Sequence, residues 1–195
     1  MQLTQTAEAS SVHDWRKLLD ELYRDRKLWG YRRGEPIRMG PEYIWVVYKG
    51  VVQLNTLYAT GDEGIIGLAC PCMPFGLPFT QVEPYEAIAL TDVMLMRLHQ
   101  TEVEQSPRLA HNLFWELTRR IQQTEALLAM SGCRRVKDRL RQLIILLQQE
   151  LGQVTSAGVR LTVKLTHQQL ASMIGSTRVT VTRLLNELKE EGIFI

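Results

Sequence analysis

The chain has 195 residues, 45% of them hydrophobic and 23% charged, with a formal net charge of +2. That is the balance of a globular protein with one large or two modest domains. No apolar run approaches the length of about 18 residues that a transmembrane helix needs, and no apolar signal region opens the chain, so no membrane partner is expected. Three cysteines make no disulfide framework, and a reducing cytoplasm is the expected setting.

The charge is unevenly placed. Residues 1–133 hold 13 Lys/Arg and 16 Asp/Glu, a net −3, whereas residues 134–195 hold 10 and 5, a net +5. A basic C-terminal third beside an acidic remainder fits a nucleic-acid domain joined to something else.

Residues 1–12 are small and polar and read as a loose terminus. His13–Leu28 reads as a short helix with Trp15, Leu18, Leu19 and Leu22 on one side. From Tyr31 to Leu98 the period changes. Ile44–Tyr48, Val51–Tyr58, Gly64–Ala69 and Ala87–Leu98 are short runs rich in Val, Ile, Leu and Tyr, parted by turn-forming segments. That spacing predicts a small antiparallel β-roll. Cys70-Pro-Cys72 is a lone C-x-C pair, expected to be structural rather than a metal site. The four histidines, His13, His99, His111 and His167, all fall outside the strand region. A metal enzyme that binds its ion inside a β-roll would need them within it. No catalytic or phosphate-loop motif occurs, so neither an enzyme nor a cofactor is expected.

Ser106-Pro107 opens a helix well, since proline suits the first turn. From Arg108 to about Ser131 no glycine or proline interrupts it. Ala110, Phe114, Leu117, Ile121, Thr124 and Leu128 are spaced 4, 3, 4, 3, 4, the seam of two helices packed side by side. The same pattern also suits a helix lying on its own domain. Ser131-Gly132 reads as a hinge. Val136–Leu151 reads as a further helix whose start is crowded by Arg134, Arg135, Lys137, Arg139 and Arg141, some of them expected to touch phosphates and most to be solvated. Gly152–Gly158 reads as a loop and Val159–Lys164 as a short strand.

Leu165–Ile193 has the pattern of two short helices joined by a tight turn. Thr166 and Gln169 form a capping box. Leu170, Met173 and Ile174 make an apolar face, and Gly175 stops the first helix. Ser176 is the candidate N-cap of the second, which carries Val181, Leu184, Leu185 and Leu188 on one stripe. Arg178, Val179, Thr182, Arg183 and Asn186 point the other way. Two arginines and an asparagine suit guanine and adenine edges, and Val179 and Thr182 suit a thymine methyl. The hydroxyls of Thr166, Ser176, Thr177 and Thr180 suit phosphates. An ordinary solvated face would carry Glu and Lys there, and these appear only after Asn186.

The run THQQLASMIGSTRVTVTRLL resembles the helix-turn-helix signature of the CRP/FNR family of bacterial transcription regulators, and GSTRVTVTRLL is most similar to its cyanobacterial nitrogen-regulator branch. Weaker resemblance extends from about Tyr31 to Ile193. It implies an α+β fold: an N-terminal cyclic-nucleotide-binding-like β-roll over 13–105, a long dimerisation helix and hinge over 106–132, and a C-terminal winged helix-turn-helix over 133–195. Ile193-Phe194-Ile195 looks like the first strand of the wing, so the wing is expected to be truncated in these 195 residues, either because the sequence stops early or because the protein is a trimmed relative. The resemblance implies a homodimer on double-stranded DNA bearing an inverted repeat, with RNA polymerase or a co-regulator as a further partner. The alternative is an effector-sensing or protein-docking module whose DNA contacts are secondary.

The same resemblance bears on an effector. Cyclic-nucleotide binders of the family carry Gly-Glu-Leu in a turn and then an arginine pair for the phosphate. Here the turn reads Phe75-Gly76-Leu77, and Glu83-Pro84-Tyr85-Glu86 stands where the arginine would be. A phosphate would face acids there, so control by cAMP is not expected. The nitrogen-regulator branch holds 2-oxoglutarate with the Phe-Gly turn, a roll arginine, and an Arg and a Glu from the dimer helices. Phe75, Gly76, Leu77, Arg120 and Glu125 match parts of that set, and the roll arginine is missing. Arg120 and Glu125 equally suit an inter-helix salt bridge or a solvated pair. The effector, if there is one, stays unknown at this level.

Overall fold

A computed structural model describes residues 17, 21, 24, 26–59, 61, 63–155 and 158–192. The helix expected over His13–Leu28 falls mostly outside these, although Lys17, Glu21 and Arg24 are helical. Leu28 belongs to a strand instead. Strand β1, Leu28–Tyr31, pairs antiparallel with β7, Val93–His99, with Leu28 opposite Met96. Its four residues, Leu-Trp-Gly-Tyr, are too few to show a period, which is why Leu28 reads as the end of a helix.

β2 is Tyr43–Lys49, and β7 also pairs with it, placing Ile44 opposite Leu98 and Val46 opposite Met96. Ile44 through Val47 are all buried, so this strand is covered on both faces and its sequence is a continuous apolar run. β5, Pro74–Phe75, adds to the other edge of β2 opposite Trp45 and Val46, giving the sheet order β1-β7-β2-β5. A proline is tolerated at this two-residue edge because no ladder continues beyond it. A second sheet has the order β4-β3-β6, with β3 at Val52–Leu57, β4 at Glu63–Ala69 and β6 at Glu86–Ala89. The single run expected over Ala87–Leu98 is thus two strands. The chain turns between them, where the Leu90 N–H bonds the Val51 carbonyl and the Val51 N–H bonds the Thr91 hydroxyl.

α1, Gln100–Glu104, is capped by His99, and α2, Pro107–Ser131, follows. Leu109 and Leu113 of α2 close over Ile44, Val46, Cys72, Met96 and Leu98 to form one apolar cluster. Cys70 and Cys72 are buried free thiols. The expected seam lies on the other side of α2. Phe114, Ile121 and Leu128 are 60%, 59% and 72% exposed, Ala110 and Thr124 are exposed, and Leu117 is half-buried.

α3, Val136–Leu151, buries Leu140, Leu143, Ile144, Leu147 and Leu151, the spacing its sequence predicts. The loop expected next is a strand. β8, Gly152–Thr155, pairs with β9, Gly158–Leu161, with Gly152 opposite Leu161. Val154 is its only apolar side chain, so the alternation was too weak to read. α4, His167–Met173, and α5, Arg178–Glu190, complete the described chain. Ile193–Ile195, where a wing strand was expected, lie outside the described residues.

The chain divides into two compact units. One takes the described residues up to Asn55 together with Leu68–Ile121; the other takes Thr56–Gly67 together with the described residues from Gln122 onward. Among the described residues no helix is long and apolar enough to cross a membrane.

Candidate nucleic-acid interface

Thr166 caps α4. Its hydroxyl accepts from the Gln169 N–H at 3.2 Å, and its own N–H donates to Gln169 Oε1 at 2.9 Å, so two otherwise unpaired donors of the first turn are satisfied reciprocally. Leu170, Ala171, Met173 and Ile174 face inward. Gly175 then takes φ +58, the left-handed conformation that a side chain disfavours.

The cap of α5 falls one residue later than its sequence suggested. The Ser176 N–H donates back to the Ala171 carbonyl at 2.9 Å, finishing α4. Thr177 takes the extended conformation of an N-cap, and its hydroxyl accepts from the Thr180 N–H at 3.2 Å. Ser176 is half-buried with its hydroxyl left for another partner.

α5 divides cleanly. Val181, Leu184, Leu185 and Leu188 are buried. Val179 is 79% exposed, and Thr177, Arg178, Arg183 and Asn186 are exposed beside half-buried Thr180 and Thr182. The side chains of Arg178 and Asn186 have no hydrogen bond or ion pair among the described residues. Arg183 is paired with Glu187 one turn on. Thr182 donates to the Arg178 carbonyl at 2.9 Å and stands 2.7 Å from His167 Nδ1.

The basic run at the start of α3 has a different use from the solvent exposure expected of it. Lys137 reaches Glu187 at 3.1 Å and Glu191 at 2.7 Å, and Arg141 reaches Glu191. The hydrogen bond from Lys137 holds the Glu191 carboxyl below the usual carboxylate range, and Glu191 in return raises Lys137. Arg139 donates to the Ile174 carbonyl at 2.9 Å and to the Cys133 carbonyl at 3.0 Å. These cations tie α3 to the end of α4 and to α5. Nothing in the evenly basic sequence separates Arg139 from its neighbours.

The residues matched to an effector site sit in the roll unit, apart from Glu125. Phe75 is buried, and Leu77 opens a short 3-10 turn, Leu77–Phe79. Gly76 has φ +142, and a Cβ there would stand 2.9 Å from the Tyr43 carbonyl oxygen, so no side chain fits. Arg120 and the Gly76 backbone come together on one group that the sequence reading passed over, the Tyr85 phenol, which is hydrogen bonded to both. Burial pushes that phenol above its ordinary value, with Arg120 pulling the other way. The signal available was its place in Glu-Pro-Tyr-Glu, where the family resemblance left the arginine missing. Glu125 is exposed and, five residues from Arg120, lies on a different face of α2.

Residues 135–195 match the model of the Crp-like helix-turn-helix domain. The chain is 34% identical over 158 residues to the global nitrogen regulator of Synechocystis sp. (strain ATCC 27184 / PCC 6803 / Kazusa), a match covering 76% of this chain and 70% of the relative. It is 33% identical over 164 residues to the regulatory protein CysR of Synechococcus elongatus (strain ATCC 33912 / PCC 7942 / FACHB-805), covering 83% and 75%. Among solved structures it superposes on a CRP/FNR-family transcriptional regulator from Thermus thermophilus with a TM-score of 0.67 and 28% identity, covering 85% of this chain and 87% of that one.

Proposed function

The chain belongs to the CRP/FNR family of transcription regulators, not to a family of enzymes, and from this we propose that it reads DNA as a homodimer, each protomer placing α5 in the major groove of one half of an inverted repeat. The observation that carries the reading is the division of α5. Its apolar stripe is fully used inside the domain, while Arg178, Val179 and Asn186 stand outward with no side-chain hydrogen bond or ion pair among the described residues. Those side chains, with Arg183 after release from Glu187, are the base-reading set. Thr166, Ser176, Thr177 and Thr180 surround the N-termini of α4 and α5 and supply phosphate contacts. Thr182 presents its methyl, since its hydroxyl is engaged.

The partner protomer packs on α2. Phe114, Ile121 and Leu128, large and exposed, stand with half-buried Leu117 in an apolar seam at heptad spacing, the condition that a second identical helix relieves. In this reading 13–105 is the sensor, 106–132 the dimer helix and hinge, and 133–195 the DNA-binding domain. RNA polymerase or a co-regulator then meets the bound dimer in the cytoplasm.

The regulator works without cAMP. The turn at Gly76 faces Tyr85 rather than an arginine, and Glu83 and Glu86 are exposed beside it. A cyclic phosphate would find its donors engaged and acids nearby. Phe75, Gly76, Leu77, Arg120 and Glu125 remain the candidate set for a different effector.

Selection of bound duplexes from a random pool, at near-physiological salt so that non-specific charge binding is suppressed, tests the function. Enrichment of a two-fold inverted repeat is the expected result. Recovery of unrelated sequences by a folded dimer would overturn it.

A further inference from the structure

His167 lies outside the base-reading set, yet it touches that set. It is the first residue of α4, it is exposed, and its Nδ1 stands 2.7 Å from the Thr182 hydroxyl of α5. The same hydroxyl lies 2.9 Å from the Arg178 carbonyl oxygen. A threonine hydroxyl owns one hydrogen, and a carbonyl oxygen only accepts. Both contacts are hydrogen bonds at once in one arrangement alone. Thr182 donates to Arg178, and His167 donates from Nδ1–H to Thr182.

That arrangement has consequences at the reading face. A threonine inside a helix ordinarily divides between two side-chain rotamers, because its hydroxyl can reach back to the carbonyl four residues earlier. The Arg178 carbonyl provides the first anchor and His167 the second. With the oxygen tied at two points, the methyl has one place left to go. α4 and α5 are already held together by Leu170, Met173, Val181 and Leu185, all buried. An exposed hydrogen bond adds little to that packing, so its effect falls on orientation.

We propose that His167 is a positioning residue of the recognition surface, fixing the Thr182 methyl against the base edge that this part of α5 reads. The proposal rests on the DNA-reading function above. It implies that part of the sequence preference is set from α4, by a residue that reads no base through its own contact.

The test uses the full chain and the selected duplex, with every base pair of one half-site substituted in turn. His167→Ala is expected to lower discrimination about fivefold at the base pair facing Thr182, the size of one net hydrogen bond, and to leave the other positions as they were. His167→Asn places an amide N–H where Nδ1–H stood and is expected to restore the preference. In a Thr182→Val background, which keeps the methyl and removes the hydroxyl, His167→Ala is expected to change nothing further. Equal weakening of all duplexes by His167→Ala, no rescue by His167→Asn, or additive effects with Thr182→Val would each overturn the proposal. A wild-type chain that discriminates alongside a His167→Ala chain that discriminates equally removes the role of His167 alone. A wild-type chain with no preference for any duplex removes the base-reading function and this proposal with it.

Discussion

The turn at Gly76 and the turn at Gly175 are built alike and used in opposite ways. Each has a glycine at positive φ, and each stands near an arginine and a hydroxyl-bearing side chain. At Gly76 the donors turn inward, where the backbone and Arg120 meet the Tyr85 phenol of the same chain. Past Gly175 they turn outward, where Arg178 and Asn186 meet nothing within the described residues. The seam of α2 follows the second pattern in apolar form, with Ile121 and Leu128 exposed. Residue type alone therefore does not decide function in this molecule. What decides it is whether the partner of a group is already present in the chain.

The sharpest way to break the contrast is to disable an outward surface. Ile121→Glu puts a charge into the seam and is expected to yield monomers by light scattering. Affinity for the full inverted repeat should then fall about 100-fold or more, the loss of linked binding by two domains. Arg178→Ala comes next, with an expected cost of about 1–3 kcal/mol and relaxed preference at one base pair, read from a panel of substituted duplexes. Unchanged discrimination would take Arg178 out of the reading set. Tyr85→Phe probes the inward arrangement. It removes the acceptor shared by Gly76 and Arg120 and is expected to lower unfolding free energy by about 1–3 kcal/mol in denaturant titration, with duplex preference intact.

The smallest effect concerns acid. The Arg26 guanidinium, 2.5 Å from Glu102, holds that carboxyl below its ordinary 4.5, helped by the His99 N–H. A depressed carboxylate contributes stability that is full above 4.5 and lost as pH falls through the folded value. Glu102→Gln should therefore lose less stability than the wild-type chain across that acid window, by a margin kept small because both side chains are about one-third exposed. Identical acid profiles would show that the pair contributes nothing.

The same contrast explains what the sequence disclosed. The helix-turn-helix was legible because its determinants are local: Thr166 with Gln169, the stop at Gly175, and a stripe from Val181 to Leu188 on one helix. The roll was legible from its short Val, Ile, Leu and Tyr runs and the long helix from an uninterrupted Arg108–Ser131 with heptad spacing, and the family resemblance joined them into one architecture. Short elements escaped, because four residues at Leu28–Tyr31 or two at Pro74–Phe75 carry too little period to outweigh their neighbours. The N-cap shifted to Thr177 because the Ser176 N–H was needed to finish α4, a competition between two adjacent caps that one-residue rules do not see. Tyr85 on Arg120 and His167 on Thr182 join residues 35 and 15 positions apart. Such meetings depend on how separate elements pack, and no local pattern announces them.

Inserting five base pairs between the half-sites of the selected duplex tests paired binding by the two α5 helices. In the proposed dimer the two α5 helices are held rigidly and reach half-sites one helical turn apart on one face of DNA. Half a turn of extra duplex puts the second half-site on the opposite face. Affinity is expected to fall to nearly that of a single half-site, with little recovery from a ten-pair insertion because such a dimer cannot stretch. Equal affinity for the original and the inserted duplex would contradict paired binding, since each helix-turn-helix would then be binding on its own.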